Sequence, residues 1–216
     1  MRNGMQWMTM VVAAGVLAAG CGGRRYRSIE IPPRLDLTRY PTVGLVTFTV
    51  ENAKGSLHEL ATDRFGEWVL SANQGVELLE LGAADSIMGR VGEPVFSSAS
   101  AKAMGAARDI PVVFAGHLKV SDLTPRGSIG GISLPRVEAT IRVDLSVSLY
   151  STTSGGTVWR SSAWASDKVG SISFDGAVPQ FSAKDPNQAY GQLINRVVEI
   201  VVADLYPTYR RERVNE

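Results

Sequence analysis

The most regular alternation of hydrophobic and polar residues lies between positions 137 and 149. Apolar side chains occupy every second position there, at Val137, Ala139, Ile141, Val143, Leu145, Val147 and Leu149. A period of two places consecutive side chains on opposite faces of a β-strand, so the segment predicts a long strand with one buried face. Residues 151–156 predict a turn, after which 157–164 returns. The pattern therefore predicts a long antiparallel hairpin over 137–165.

The polar positions of this hairpin form a candidate surface for binding a partner. They alternate with the apolar positions and should share the solvent-facing side of the strand: Glu138, Thr140, Arg142 and Asp144. Trp159 and Trp164 lie on the returning strand, an odd number of residues apart, and should point to opposite faces. One of them is expected in the core, and the other is a candidate for partner contact. The predicted loops 124–136 and 166–184 are further candidates.

Apolar periodicity predicts more strands and helices around the hairpin. A nearly continuous apolar run is typical of a central strand covered on both faces, and apolar residues three and four apart indicate an amphipathic helix. The elements predicted in this way are strands at 42–50, 76–81 and 112–120 and helices at 56–72, 97–108 and 186–205. Short connections between them predict an α/β fold, with a single mixed sheet, helices packed on it and a C-terminal helix. Residues 82–96 give no clear pattern.

The first residues have the layout of a bacterial signal peptide. An apolar run from Met5 to Leu17 follows Arg2 and ends in small residues directly before Cys21. Small residues followed by cysteine resemble the lipobox of bacterial lipoproteins, although Ala18 stands where that family prefers Leu. The resemblance implies cleavage between Gly20 and Cys21 and acylation of Cys21. A transmembrane helix would need about 20 apolar residues, more than this run supplies.

Together with the composition of residues 22–41 and the predicted strands and helices, this resemblance divides the chain into four segments. They are a signal peptide at 1–20, a lipidated cysteine and flexible tether at 21–41, the α/β domain at 42–207 and a basic tail at 208–216. Gly22 replaces the Asp that retains enteric lipoproteins in the inner membrane, so we expect a lipid anchor at the periplasmic face of the outer membrane. Arg24, Arg25 and Arg27 would then either contact anionic head groups or belong to a solvated linker.

The charge balance and the single cysteine exclude several functions. Arg2 is the one charged residue among positions 1–20, so the remaining chain carries 21 basic and 21 acidic side chains. This balance argues against a general nucleic-acid binder, which would carry a basic excess. With Cys21 as the only cysteine, neither an intramolecular disulfide nor a thiolate metal site can form.

No recognisable catalytic or cofactor motif is present in the sequence. His58 and His117 are far apart, and neither has the second histidine four residues away that a zinc protease requires. Gly127–Gly131 is rich in glycine but lacks the Gly-Lys-Ser/Thr ending of a phosphate-binding loop. No Gly-x-Ser-x-Gly elbow occurs. We therefore predict no catalytic residue, no metal and no cofactor, and we interpret the chain as non-enzymatic.

The order of elements resembles the TolB amino-terminal-like fold. Thr42–Phe48 is similar to its opening strand, Ala103–Gly105 running into Val112–Gly116 to its second helix and buried strand, and Thr153–Trp159 to its recurrent turn before Trp. The resemblance covers about Thr42 to Leu205. This fold is shared by the curli-secretion lipoprotein CsgG and by LpoB-type activators of penicillin-binding proteins, which implies a protein-binding or assembly module of the cell envelope.

Two other functions stay open at this stage. A subunit of an oligomeric curli-type secretion pore would need membrane-crossing strands of about 9–11 alternating residues. Residues 124–136 are too short to supply a pair, and the apolar residues of 166–184 do not alternate regularly. An accessory lipoprotein for lipopolysaccharide assembly, of the LptE kind, is the other alternative. The expected partners are the membrane, through the anchor, and an envelope protein; oligomerisation is left open.

Overall fold

The computed structural model describes residues 26–52, 56–83, 96–121, 124–128, 136–175, 178–183 and 186–213. The chain divides into two compact units: Pro33–Tyr206 forms the larger one, and the segments up to Pro32 and from Pro207 form the smaller one. The predicted signal peptide, Gly20 and Cys21 lie outside the described residues.

The described residues contain ten strands, three α-helices and two short 3-10 turns. In chain order they are β1 (Tyr26–Ile31), a 3-10 turn (Leu37–Arg39), β2 (Thr42–Thr47), β3 (Thr49–Glu51), α1 (Leu57–Ala72), β4 (Glu77–Ala83), α2 (Ser98–Arg108), β5 (Val112–Val120), β6 (Thr124–Ser128), β7 (Arg136–Ser151), β8 (Thr157–Asp175), β9 (Val178–Ala183), α3 (Pro186–Val202), a second 3-10 turn (Ala203–Leu205) and β10 (Thr208–Arg213). None of the helices that the structure describes has the length and apolarity to span a membrane.

The larger unit is built on one mixed sheet, which confirms the predicted fold class. Its strand order is β4-β2-β5-β7-β8-β9, with β3 paired to β5 and β6 paired to β7. Strand β2 runs parallel to both β4 and β5, whereas the β5–β7, β7–β8 and β8–β9 pairs are antiparallel. The predicted hairpin over 137–165 is the β7–β8 pair.

Helices α1 and α3 cover one face of the sheet and enclose the main core. Phe65 of α1 lies between two aromatic rings of the sheet, with ring centroids 5.4 Å from Phe48 and 5.0 Å from Phe114. The described apolar positions of β7 all point into this core and are at most 1% exposed: Ile141, Val143, Leu145, Val147 and Leu149. The period-two pattern thus assigns the buried face of β7 correctly.

Helix α2 covers only part of the opposite face. Its residues Ala101 and Met104 pack in a small apolar cluster with Val46, Leu81, Ile110 and Val113. Gly105 lies against Thr152, and a Cβ at this glycine would collide with the threonine side chain. A glycine is therefore needed for the close approach of α2 to the turn after β7. Further along β5 and β7, the same face of the sheet carries exposed polar side chains.

Both predicted irregular segments contain strands, which corrects the sequence prediction. Within 124–136, Thr124–Ser128 is β6 and pairs with β7; within 166–184, β8 continues to Asp175 and then pairs with β9. The two short strands β6 and β9 lie at the edge of the sheet. Pro125 and Pro179 are tolerated at such edges, where one side of the strand needs no hydrogen-bonded neighbour. The glycines and prolines of these two segments are typical of loops, but here they belong in part to edge strands. Residues 129–135 lie outside the described part.

The segments predicted as a tether and a basic tail also contain strands. In the smaller unit, Tyr26–Ile31 and Thr208–Arg213 pair as an antiparallel ribbon, with Tyr26 opposite Arg213 and Ile31 opposite Thr208. Nearly every residue of this ribbon is exposed. Because neither face is buried, charged residues lie on both faces of the ribbon. The short alternation of Ile29 and Ile31 with Ser28 and Glu30 was only a weak signal for a strand.

We predict that Gly116→Ala destabilises the fold. A Cβ at residue 116 of β5 would lie 2.5 Å from the Phe48 ring, which is itself 1% exposed and packed against Phe65. Overpacking of this kind costs about 1–3 kcal/mol, so the free energy of unfolding by urea should fall by that amount.

The matched control is Gly191→Ala in α3, where a Cβ meets nothing within 4 Å. Replacing a helical glycine with alanine should stabilise the protein by about 0.5–1 kcal/mol. An unchanged urea midpoint in Gly116→Ala would contradict the packing described here.

Candidate protein-binding surface

Four neighbouring strands bring a row of polar and aromatic side chains onto the uncovered face of the sheet. The pairing register places Glu51 of β3 opposite Lys119 of β5, Lys119 opposite Asp144 of β7, and Asp144 opposite Trp164 of β8. Residues paired directly across strands point to the same face. We call this row the strand-face surface; it consists of Glu51, His117, Lys119, Arg142, Asp144 and Trp164.

One end of the strand-face surface is an ion cluster around Glu51. The Lys119 ammonium donates to Glu51 Oε1 over 3.0 Å, and His117 Nε2 lies 3.5 Å from Glu51 Oε2. The other ring nitrogen of His117 lies 2.9 Å from the Thr49 hydroxyl. The hydrogen bond and the positive charge of Lys119, with a smaller effect of His117, hold the pKa of Glu51 below its ordinary value. The carboxylate is therefore fully charged near neutral pH.

The other end of the surface presents an aromatic ring held by an ion pair. Arg142 donates hydrogen bonds to both carboxylate oxygens of Asp144, and the two shortest run from Nε to Oδ2 over 2.9 Å and from Nη2 to Oδ1 over 2.6 Å. The bond to Asp144 raises the pKa of the Arg142 guanidinium, and this group lies 4.5 Å above the centre of the Trp164 ring. The stacked cation and the ring attract each other, yet Trp164 stays 56% exposed. The geometry thus fixes an exposed aromatic side chain on a rigid strand.

A shallow depression of 240 Å³ lies beside Trp164. Its lining combines the charged row with neighbouring residues of β7 and β8: His117, Lys119, Asp144, Leu145, Ser146, Ser162, Ala163 and Trp164. Leu145 and Ala163 are paired across the two strands and their side chains pack on the core side. The small side chains that leave space next to the indole ring are therefore those of Ser146 and Ser162. The arrangement suits insertion of one apolar or aromatic side chain from a partner, packed against Trp164.

A larger depression of 640 Å³, lined by residues of α2 and of the turn after β7, is a weaker candidate. The Thr152 hydroxyl in its wall is committed to the fold, because it hydrogen-bonds the carbonyl groups of Ile110 and Pro111. No exposed aromatic side chain lines this depression. The described residues also contain no group of three or more His, Cys, Asp or Glu side chains that could hold a metal ion.

The structure separates the residues that the sequence singled out. Arg142, Asp144 and Trp164 come together on the strand-face surface, whereas Trp159 lies on the core side of β8. The Trp159 ring lies 5.9 Å from Phe114, and its Nε1 donates to Asp204 over 3.3 Å. The two tryptophans therefore point to opposite faces, and Trp164 is the exposed one. Thr140 is half-buried on β7; Glu138 is two residues further along the strand, and its side chain lies outside the described part.

Sequence reasoning missed the Glu51 end of the surface. The strand predicted at 42–50 stops before Glu51, whereas the structure makes Glu51 the last residue of β3. His117 is the histidine for which no metal partner could be found, and Lys119 lies two residues beyond it. The alternation of exposed and buried residues at the end of β5 was a local signal. This signal could not show that β3 places the Glu51 carboxylate opposite Lys119.

Comparisons with known proteins give distant similarities. No family model matches the sequence. No curated protein is significantly similar to it in sequence. The solved structures with a similar fold include the PelC dodecamer from Paraburkholderia phytofirmans, with a TM-score of 0.41 and 10% identity over 84% of this chain and 97% of that one. Lipoprotein GNA1162 from Neisseria meningitidis matches with a TM-score of 0.40 and 13% identity over 73% of this chain and 95% of its own.

The C-terminal domain of LpoB from Salmonella enterica is another similar structure. Its TM-score is 0.35, with 10% identity over 72% of this chain and 93% of that one. At these scores the similarities carry no argument about what the strand-face surface binds.

We predict that Lys119→Met raises the pKa of Glu51 toward its ordinary value, because it removes the main hydrogen bond and charge that lower it. His117→Ala should raise it less. A carboxyl with a lowered pKa adds stability above its ordinary pKa and loses it as the pH falls through the lowered value. In Lys119→Met this carboxyl should therefore add less stability, and the loss should be complete at a higher pH. Carbon-13 NMR titration of the Glu51 carboxyl measures both effects, and equal shifts in the two variants would contradict the cluster.

Proposed function

We propose that this chain is a non-enzymatic lipoprotein of the cell envelope, anchored through Cys21 to the periplasmic face of the outer membrane, and that its strand-face surface binds another envelope protein. The observation that carries the binding role is the exposed Trp164 ring, held by the Arg142–Asp144 pair beside a depression. Tryptophan and arginine are the residues that most often dominate binding energy at protein interfaces.

The charges of the surface suit a partner that is recognised mainly by shape and apolar contact. Lys119 is paired with Glu51 over 3.0 Å, and Arg142 with Asp144 over 2.6 Å. These two pairs leave no net charge on the surface for long-range attraction. The binding energy should therefore come from covering Trp164 and the small residues beside it, and it should depend only weakly on salt.

The lipid anchor would act by confinement. A chain attached to the membrane through Cys21 meets other proteins of that membrane in a thin layer, which raises its effective concentration. A surface of modest affinity is then sufficient for function. This mechanism needs no catalysis, which agrees with the absence of recognisable catalytic motifs in the sequence.

A second candidate function, a subunit of a curli-type secretion pore, is favoured by one observation. Segments 124–136 and 166–184, which the sequence predicted to be irregular, contribute strands to an antiparallel group β6-β7-β8-β9. Strands β6 and β9, however, have five and six residues, and about 9–11 are needed to cross a bilayer. We therefore prefer the tethered binding module. A discrete ring of many copies in native mass spectrometry of the detergent-extracted protein would favour the pore.

We predict that Cys21→Ser abolishes lipidation. The precursor should keep residues 1–20 and lack the mass of the acyl chains, because the thioether can form only at a thiol. Intact-mass measurement of the protein from membranes of expressing cells gives both readouts. Gly22→Ser keeps Cys21 and should remain cleaved and acylated. A Cys21→Ser chain that is still cut after Gly20 would contradict the anchor.

We predict that Trp164→Ala removes partner binding. A photoreactive residue in place of Ser162, on the exposed rim of the depression, should crosslink a discrete protein in intact cells. Loss of a tryptophan hot spot costs about 2 kcal/mol or more, which corresponds to about thirty-fold in affinity. The crosslink should therefore fall to background in Trp164→Ala.

The matched control for this experiment is Ile200→Ala on α3. Ile200 is 49% exposed and lies outside the strand-face surface, so its removal should leave the crosslink unchanged. A crosslink that persists in Trp164→Ala would exclude this surface as the binding site.

A further inference from the structure

Positive charge in this chain is concentrated in the small antiparallel ribbon of β1 and β10 and directly before it in the sequence. The two strands carry four arginines and two glutamates, a net charge of +2. With Arg24 and Arg25, which precede β1, segments 24–31 and 208–213 reach a net charge of +4. Residues 32–207 carry 15 basic and 18 acidic side chains, a net charge of −3. The net charge of the whole chain is therefore near zero because a basic ribbon and an acidic domain compensate each other. Such a separation suits an anionic partner for the ribbon.

The pairing register sorts the ribbon residues onto two faces. Tyr26 is opposite Arg213, Ser28 opposite Arg211 and Glu30 opposite Tyr209. Because directly paired residues share a face and successive pairs alternate, these six residues lie on one side; we call it the tyrosine face. The other side carries Arg27 with Glu212, Ile29 with Arg210, and Ile31 with Thr208. Each face has a net charge of +1, and only the first carries aromatic residues.

Both tyrosines of this face are highly exposed: Tyr26 by 56% and Tyr209 by 66%. A two-stranded ribbon is marginally stable by itself in water. Tyrosine and arginine together are typical of the boundary between water and lipid, where the ring reaches toward the acyl region and the cation meets phosphate. The composition of the tyrosine face therefore fits a lipid surface better than bulk water.

The position of Cys21 in the sequence indicates that a membrane surface covers the tyrosine face. Tyr26 follows Cys21 by five residues, and five residues span at most about 17 Å when fully extended. An acylated Cys21 would thus hold the Tyr26 end of β1 close to the head groups. The ribbon pairing brings Arg213 and Arg211 of β10 to the same end. Residues from both ends of the chain then meet at one membrane-proximal place.

We propose that the tyrosine face docks on the surface of a membrane that contains anionic phospholipids. The proposal rests on the proposed function, because the anchor at Cys21 is what brings the ribbon to the membrane. Tyr26 and Tyr209 insert at the head-group level, and Arg211 and Arg213 bind lipid phosphates. Glu30, on the same face, opposes docking and lies next to Tyr209 across the strands, at the end further from Cys21.

The test uses the chain from residue 21 to 216 with Cys21→Ser, so that no acyl chain contributes to binding. The probes are vesicles of phosphatidylcholine alone and of phosphatidylcholine with about one third phosphatidylglycerol. Cosedimentation should show binding to the anionic vesicles that weakens as salt is raised, and little binding to phosphatidylcholine alone. Absence of binding to the anionic vesicles would overturn the proposal, and so would equal binding to both kinds.

Two charge-matched variants test which face binds. Arg211→Gln/Arg213→Gln removes two charges from the tyrosine face and should weaken binding by about thirty-fold, at about 1 kcal/mol for each basic residue near the surface. Arg27→Gln/Arg210→Gln removes two charges from the other face and should weaken it clearly less. Tyr26→Ser/Tyr209→Ser should lower affinity and leave the salt dependence unchanged. Equal losses in both arginine variants would overturn the face assignment.

The vesicle experiment can refute docking of the ribbon without refuting lipidation of Cys21. Lipidation of Cys21 is read from the intact mass of the protein made in cells, whereas vesicle binding is measured on the unacylated chain. If the protein is correctly acylated in cells but its unacylated form does not bind anionic vesicles, the proposed function stands and the docking of the ribbon is refuted.

Discussion

Burial of one face of β7 is the constraint on which the rest of the larger unit depends. A shift of one residue in its pairing would move every apolar side chain, from Ile141 to Leu149, out of the core and into water. The register of β7 against β5 and β8 is therefore strongly fixed. Because the polar residues alternate with the apolar ones, the same constraint sets Arg142 and Asp144 on the opposite face. The strand-face surface is in this sense a direct consequence of core packing.

The length of α2 decides how much of that opposite face is available. The helix has 11 residues, and its buried side chains reach the part of the sheet around Val113 and Tyr150. Further along, the cross-strand partners His117 and Ser146 carry polar groups instead of apolar ones. A longer amphipathic helix would need apolar partners there. The change from apolar to polar residues along β5 thus marks the boundary between core and exposed surface.

The sequence predicted correctly those elements that are determined by burial of one of their own faces. The alternation in β7 and the helical spacing of α1 and α3 come from burial of one face of each element, so a single sequence reveals them. The ion cluster of Glu51 and Lys119 depends instead on the pairing of strands 68 residues apart, which no local pattern encodes. Strands β6 and β9 were missed because edge strands accept proline and glycine. The β1–β10 ribbon was missed because it joins opposite ends of the chain and buries neither face.

The ribbon changes what the proposed anchor at Cys21 would do. With β1 paired to β10, residues 26–31 no longer belong to a free linker, so the chain that could set the reach from Cys21 is shorter than the predicted tether of 21–41. With the proposed anchor, a shorter connection would confine the domain more closely to the membrane and raise its effective concentration for partners there. It would also reduce the distance at which those partners could be met. The proposed binding role would therefore depend more on a preorganised surface, such as the fixed Trp164 ring, than on a long search radius.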